Sequence, residues 1–248
     1  MRSIALVRVY FSEAKYESLR MLRAPGFTIP FLSLPVALYL LFGVVLYGAA
    51  VAKDPKAALF IFLGFAVFGV MGPGMFGFGV TLAVECEQGL LKLKRALPVP
   101  AGAPLLAKMA MSMLFVTLVM ITMAAAAPLG HLRFTAGQVT ALMVCGIAGC
   151  LPFCALGLFI GSMASAKAAP AFVNLLYLPM IYLSGILIPL PASMHWIALA
   201  SPAYHLSQAA RAAMGIASEG AAAIHLLVLA AATVLFTALA VRRLQRVG

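Results

Sequence analysis

The sequence predicts an all-α membrane protein with six transmembrane helices, and two observations carry that prediction. First, six stretches contain no Asp, Glu, Lys or Arg, and each is long enough to cross a bilayer. A hydrocarbon core of about 30 Å requires roughly 20 apolar residues in helical form, because backbone groups cannot remain unpaired in lipid. Second, hydrophobic residues make up 65% of the 248 residues and charged residues only 9%, far from the averages of soluble domains.

The first element, residues 3–23, precedes the spans and is predicted to be an amphipathic helix on the inner membrane surface. Apolar side chains such as Val7 and Phe11 recur at the three-to-four spacing of the face toward the membrane. Glu13, Glu17 and Arg20 fall on the opposite face. Ala24-Pro25-Gly26 then turns the chain into the first span. We expect this helix to serve as a fixed interfacial anchor or as a movable elbow.

The predicted spans follow with short connections, at about residues 27–51, 58–84, 107–127, 137–161, 169–188 and 221–241. Lys53-Asp54-Pro55-Lys56 joins the first two spans as a tight outer turn. The second span is rich in glycine and contains Pro73, a composition that favours either close helix packing or a flexible gate.

The fifth uncharged run, from Ala168 to Ala210, is too long for one span. Two complete crossings would put the basic C-terminus outside, against the charge rule for membrane proteins. We therefore predict one span at 169–188, followed by a re-entrant helical segment at 189–210 on the outer side. Non-helical backbone at membrane depth must be buried in protein or line a wet cavity, so this segment is the candidate gate.

Basic residues are distributed unevenly between the two sides of the predicted topology. Thirteen of the 17 Lys and Arg lie on the side of the N-terminus, and four lie on the other side. The excess predicts a multi-pass protein of the plasma (inner) membrane with both termini in the cytoplasm. The net charge of +11 does not indicate nucleic acid, because the basic residues flank hydrophobic runs rather than cover a folded face.

The inner segment 85–104 is the most polar stretch in the interior of the chain. It begins with Glu85-Cys86-Glu87-Gln88-Gly89, continues through Lys92, Lys94 and Arg95, and ends in a loop bounded by prolines. Two acids at a helix end, a glycine and a basic turn would form a rigid projection suited to docking another protein. The alternative is a charged loop that only enforces topology.

Two motifs resemble those of the ABC type-2 permeases, the membrane subunits of ATP-driven exporters. Glu85-Cys86-Glu87-Gln88-Gly89-Leu90-Leu91, with Lys94-Arg95 and Leu97-Pro98-Val99 after it, is similar to their inner acidic segment. Tyr182-Leu183-Ser184-Gly185, running on through Pro189 to Ser201-Pro202, is similar to their re-entrant signature. Cys86 and Gln88 depart from the pattern, because these positions are often charged in the family.

The resemblance implies one permease domain over residues 1–248 and a role for each region. Segment 85–104 would couple the chain to a cytoplasmic ABC nucleotide-binding subunit, through Glu85, Glu87, Gly89, Lys92, Lys94 and Arg95. A second copy would complete a homodimer, in which the first and fifth spans line the exit path. The implied pathway and gate residues are Tyr39, Phe42, Tyr47, Asn174, Tyr177, Tyr182, Ser184, Gly185 and Pro189.

The activity implied by the resemblance is ATP-driven export of an amphipathic or hydrophobic substrate such as a drug, an antibiotic or a lipid, as in multidrug efflux. Export of a lipid-linked saccharide is the alternative. The chain has no G-x-x-x-x-G-K-[ST] loop, so ATP and Mg would be bound by the partner subunit. We expect this chain to bind membrane lipids, no cofactor, no metal and no nucleic acid, and not to be an enzyme.

Three other classes of function compete with this interpretation. An intramembrane enzyme would need buried acids or a metal cluster, whereas the predicted spans hold no carboxylates and the four histidines are scattered. A proton- or ion-coupled transporter would need ionisable relays within the membrane. A membrane scaffold without transport remains the third, although a glycine-rich span and a re-entrant segment exceed what anchoring requires.

Overall fold

The computed structural model describes the chain except residues 1, 91–92, 94–95, 97–99, 101, 184–186, 189–190, 192, 194 and 248, and the side chains of 2–6, 50–51, 183 and 246–247. The described part consists of helices and their connections, with no β-strand within it. The predicted class, an all-α membrane protein, is thereby confirmed.

The helices are numbered here in chain order. They are α1 (Arg2–Leu22), α2 (Pro25–Leu46), α3 (Gly48–Val51), α4 (Pro55–Glu87), α5 (Ala103–Gly130), α6 (Ala136–Gly161), α7 (Ala169–Leu183), α8 (His195–Ala198), α9 (Pro202–Ala213) and α10 (Ala222–Val247). Among the described residues, five helices are long and apolar enough to cross a membrane, namely α2, α4, α5, α6 and α10, and α7 is a shorter apolar helix. The sixth crossing and the re-entrant insertion of 189–210 stay predictions.

Several helices begin where the sequence supplies a start signal. Pro25 and Pro55 occupy the first helical position of α2 and α4, where a backbone N–H would have no partner in the helix. The Asp54 carboxylate accepts the Lys56 N–H at 2.9 Å. Thr135 and Gln138 form a reciprocal capping box at the start of α6.

Helix α4 lies at the centre of the bundle. Within its most apolar stretch 72% of the residues are buried, whereas the corresponding share is 17% in α2 and in α10. Its neighbours are α2, α5, α6, α7 and α9, and α10 packs on the outside against α6 and α9. The hydrophobic core therefore surrounds α4, and α2 and α10 present most of their apolar surface outward.

The contact between α4 and α6 brings the two backbones together. A Cβ atom added at Gly79 would lie 2.8 Å from the Gly157 carbonyl oxygen, and one added at Gly157 would lie 2.5 Å from that of Gly74. Only glycine allows this approach, so Gly74 and Gly79 of the second predicted span and Gly157 of the fourth serve helix packing.

Both α2 and α4 contain a π-helical segment, at Leu40–Leu46 and Pro73–Val80 respectively. Such segments widen a helix locally and leave some carbonyl groups without their usual α-helical partner. In α4 the Ser112 hydroxyl of α5 donates to the Pro73 carbonyl at 3.1 Å. A side chain of the neighbouring helix thus satisfies the start of the wide segment.

Candidate functional site

One end of the bundle contains a buried cluster of charges. The Lys108 ammonium of α5 lies 2.7 Å from a Glu17 carboxylate oxygen of α1 and 2.9 Å from a Glu85 carboxylate oxygen of α4. It also donates to the Thr81 hydroxyl at 3.1 Å. Arg20 extends the cluster, with guanidinium nitrogens 2.7 Å from Glu17 and 3.0 Å from Glu85. The two acids balance the two bases, as burial of a charge requires.

The charge cluster fastens α1 to the bundle and corrects the sequence prediction for that helix. Glu17 was expected on the polar, outward face, but it is buried with Met21, which packs on Phe115. Val7 and Phe11, predicted to lie on the face toward the membrane, are exposed away from the bundle. The prediction for Glu17 was wrong because helical periodicity does not reveal a counter-charge on a distant helix.

The predicted coupling residues occupy different environments at the end of α4. Glu85 is buried in the charge cluster, whereas Glu87 is exposed and its carboxylate accepts the Ala166 N–H at 2.6 Å. Gly89 follows the end of α4 in the left-handed region, with φ +71° and open space around its α-carbon. Lys92, Lys94 and Arg95 lie outside the described residues.

The described parts of the segments predicted to be on the inner side meet at this same end of the bundle. The carboxylate of Glu87 holds the link between α6 and α7, and the Arg243 guanidinium of α10 donates to the Ser162 carbonyl at 3.2 Å. The N-terminal helix, the end of α4, the start of α5 and the end of α10 therefore share one face of the molecule.

A second region, the groove between α2, α4 and α7, is apolar. It consists of two adjoining cavities of about 430 Å³ and 270 Å³, both of which are lined by Phe68 and Leu178. Aromatic rings of α4 form its floor, with Phe65, Phe68 and Phe76 in contact with one another or with rings of α2 and α7. No charged side chain lines either cavity among the described residues.

Five of the predicted pathway residues line this groove. Phe42, Tyr47 and Tyr182 line the larger cavity, and Asn174 and Tyr177 line the smaller one. The Tyr177 hydroxyl donates to the Phe68 carbonyl at 2.9 Å, which secures α7 to α4. Ser184, Gly185 and Pro189, the predicted gate residues, lie outside the described residues.

Tyr39 lies elsewhere. Its ring is 1% exposed, meets Phe62 edge to face at a centroid distance of 5.3 Å and covers Gly130. Its hydroxyl donates to the Ala127 carbonyl at 3.2 Å. Within one copy of the chain Tyr39 therefore packs α2 against α5 and does not border the groove.

Sequence reasoning missed the lysine at the centre of the charge cluster. Lys108 is one of the thirteen basic residues on the inner side of the predicted topology, and it lies at the start of an apolar helix, where a buried charge needs a partner. That position was the available signal, but nothing in the sequence pointed to Glu17, which is 91 residues away along the chain. The aromatic floor of the groove was missed as well, because phenylalanines in an apolar span are expected to belong to the hydrophobic core.

The remaining polar residues do not form a metal centre in the part of the chain that the structure describes. No group of three or more His, Cys, Asp or Glu side chains there could hold a metal ion. Cys150 and Cys154 are both buried in the hydrophobic core between α4, α6 and α9. In this setting they act as small packing residues.

Two comparisons with known proteins bear on these two regions. Residues 9–215 match the family described as ABC-2 type transporter. The matched range begins within α1 and ends beyond α9, so it includes both the charge cluster and the groove. The chain is also similar to a protein of Bacillus subtilis (strain 168), "Putative transport permease YvfS", with 27% identity over 198 residues, which is 78% of this chain and 80% of the relative.

Proposed function

This chain belongs to the ABC-2 type transporter family, and from that premise we propose that it is the membrane subunit of an ATP-driven exporter for amphipathic or hydrophobic molecules. Family membership makes it a multi-pass transport permease and implies an ABC ATPase subunit as its partner. We propose the direction of transport, the class of substrate and the assembly of two copies.

The observation that carries the proposal is the uncharged aromatic groove between α2, α4 and α7. Its described lining combines aliphatic and aromatic carbon with a few polar groups, among them Asn174 and the Tyr47 and Tyr182 hydroxyls. Such a lining suits a largely apolar molecule with isolated polar atoms, and would leave a multiply charged solute without partners. An amphipathic drug, antibiotic or lipid fits that description.

The groove also supports assembly as a homodimer. Helices α2 and α7 form its two walls, and both carry exposed apolar side chains on the outside of the bundle, among them Leu41, Val45, Phe172 and Leu175. Two copies that met through α2 and α7 would enclose two such grooves around a common path. In this arrangement the exit path is completed by the second copy.

The charge cluster supports transmission of force from the ATPase. A partner that docks on segment 85–104 would push on the end of α4, which is joined through Glu85 and Lys108 to α5 and through Glu17 to α1. Ion pairs with Lys108 hold these three helices, so they would move together. Most basic residues lie on the side of the predicted topology that contains the charge cluster, which favours placing this side in the cytoplasm and the chain in the plasma (inner) membrane.

A matched pair of exposed leucines, one on α7 and one on α10, tests the groove. The chain would be reconstituted in proteoliposomes with the ABC ATPase encoded beside it, and ATP-dependent movement of an amphipathic dye, rhodamine 6G, would be measured. Leu178 of α7 lines both cavities, whereas Leu227 of α10 lines neither and lies on a helix outside the proposed contact between copies, although both leucines are exposed. We expect Leu178→Trp to reduce transport at least fivefold and Leu227→Trp to leave it near wild type.

Equal behaviour of the two leucine variants would rule out the groove as the path. Absence of dye transport by the wild-type complex, with ATP hydrolysis intact, would count against the amphipathic substrate class.

A second experiment tests the coupling segment. Reversal of Lys92, Lys94 and Arg95 to Glu should abolish co-purification with the ATPase while the chain still inserts into the membrane. The matched control reverses Lys53 and Lys56, both exposed in the turn at the other end of the bundle. Retained ATPase binding by the first variant would remove the docking assignment.

A further inference from the structure

A buried pair of imidazole rings joins α9 to α10 at the end of the bundle opposite the charge cluster. His205 of α9 and His225 of α10 are each 3% exposed. Their Nδ1 atoms are 2.9 Å apart, and their ring centroids are 5.1 Å apart. The function proposed above gives this pair no role.

The other nitrogen of each ring faces a backbone carbonyl. His205 Nε2 lies 2.9 Å from the Leu199 oxygen, and His225 Nε2 lies 2.6 Å from the Glu219 oxygen. A carbonyl oxygen can only accept, so each Nε2 must carry a hydrogen. A neutral imidazole has a single N–H, so in a neutral ring with this contact Nδ1 bears a lone pair.

Two neutral rings would therefore point two lone pairs at each other across 2.9 Å. That separation is typical of a hydrogen bond, yet no hydrogen would lie between the atoms, and two buried acceptors would stay unsatisfied. One additional proton converts the contact into a charge-assisted N–H···N bond. A second additional proton would oppose two N–H groups and two positive charges.

A carboxylate, a phenol and an amide lie around the pair. The Glu219 carboxylate accepts from the Tyr204 hydroxyl at 2.7 Å, and the Tyr204 ring lies 5.4 Å from His205 and 6.0 Å from His225. Gln208 accepts the Glu219 N–H at 3.0 Å.

Further charged or titratable groups lie on α9 itself and on the helices that pack against it. Arg211 lies on α9 itself and acts on Tyr204. The Cys145 thiol of α6 contacts the Ala209 carbonyl. On α4 and α7, which also pack on α9, the groups of this kind are Lys56, exposed at the start of α4, Tyr177, bound to α4, and Tyr182, exposed in the groove. Glu85, Cys86 and Glu87 lie at the other end of α4, beside the charge cluster.

We propose that His205 and His225 form a proton-binding site that holds one shared proton at neutral pH and latches α9 to α10. The site rests on contacts within one chain and stands whether or not the chain exports an amphipathic molecule. Loss of the shared proton, or uptake of a second one, removes the Nδ1–H···Nδ1 bond and frees the end of α9 from α10.

The stability that this latch provides is expected to decrease at low pH. Burial lowers the pKa of His205, the contact with the Leu199 carbonyl raises it, and a charge on His225 lowers it. Once the pair holds its shared proton, the charge already present and the burial of the site both oppose a second proton, so the folded chain takes it less readily than an unfolded chain. The stability due to the latch is therefore lost as the pH falls through the folded value. The two protonation steps are properties of the coupled pair rather than of either ring.

Ring-nitrogen NMR tests the site directly. The full chain, with ¹⁵N-labelled histidine, would be studied in lipid nanodiscs at pH 7 in the variant His131→Asn/His195→Gln. Both replaced residues are exposed, and asparagine tolerates the positive φ of 61° at position 131. The remaining two rings should show three protonated nitrogens and one unprotonated nitrogen. Two protonated nitrogens, or four, would overturn the proposal.

A pH series of thermal unfolding tests the latch. The melting temperature of wild type and of the control His195→Gln should fall below about pH 6, near the ordinary titration range of histidine. The variant His225→Gln keeps hydrogen-bonding groups but cannot carry a charge, so its acid-side fall should be smaller. An identical fall in all three proteins would refute the latch, and if His225→Gln does not fold, the NMR count on the intact pair decides.

Discussion

The two faces of α4 differ in kind. Toward α5, α6 and, at its end, α1, it is fixed by ion pairs with Lys108 and by backbone contact at Gly79 and Gly157. Toward α2 and α7 it presents phenylalanine rings to two cavities. The first face cannot change without breaking a buried ion pair or a close glycine contact. Movement of α7 would break the hydrogen bond from Tyr177 to Phe68 rather than a buried ion pair, so we expect conformational change to be concentrated on the groove side.

The largest loss of stability is expected when Lys108, at the centre of the charge cluster, is replaced. Lys108→Met would leave the buried Glu17 and Glu85 with the ion pairs of Arg20, which is half exposed. Loss of one partner from a buried ion pair typically costs 3–5 kcal/mol, and we expect a loss of about that size. Thermal unfolding in detergent would measure it, with the exposed Lys167→Met as control. Equal melting temperatures for the two variants would show that the cluster does not hold the helices.

A smaller loss is expected from a methyl group at the contact between α4 and α6. Gly157→Ala would put Cβ 2.5 Å from the Gly74 carbonyl oxygen, which belongs to rigid backbone. Overpacking of this kind costs about 1–3 kcal/mol. In the control, Gly137→Ala, the nearest atom to the added Cβ is Thr135 Oγ1 at 3.9 Å, an ordinary contact, so the change should be neutral or slightly stabilising. If denaturation in detergent finds Gly157→Ala as stable as wild type, α4 and α6 are not locked.

The smallest of these losses concerns the groove side. Tyr177→Phe removes the hydroxyl that donates to the Phe68 carbonyl, a contact whose loss should cost about 1 kcal/mol. Tyr182→Phe, at an exposed position that lines the larger cavity, should change stability by less than about 0.5 kcal/mol. Amide hydrogen exchange along α7 would sharpen the comparison, since faster exchange is expected for Tyr177→Phe alone. Unchanged exchange would mean that other contacts hold α7.

The sequence alone could predict which segments are helices because spanning a membrane is a property of each segment taken singly. It could not predict which of them lie inside the bundle, because lipid and protein interior are equally apolar. Helices α4 and α10 have mean hydropathies of 2.0 and 2.4, yet 72% of one window and 17% of the other are buried. The glycines of α4 were the one local sign of the difference.

The candidate site was predictable to different degrees for a related reason. Phe42, Asn174 and Tyr182 could be proposed from the family resemblance and do border the groove. The charge cluster could not be assembled from spacing, since Glu17 and Lys108 are joined only by the folded arrangement of three helices. The histidine pair could not be predicted from the sequence either, because its members are 20 residues apart and lie on different helices.

The order of the charged residues along the chain bears on how the protein is made. Glu17 and Glu85 both precede Lys108, so during synthesis from the N-terminus the two carboxylates exist before the ammonium group that they will surround. The third membrane segment therefore enters with its charged end matched by anions already in place. A chain with the opposite order would have to carry an uncompensated lysine until the later segments arrived.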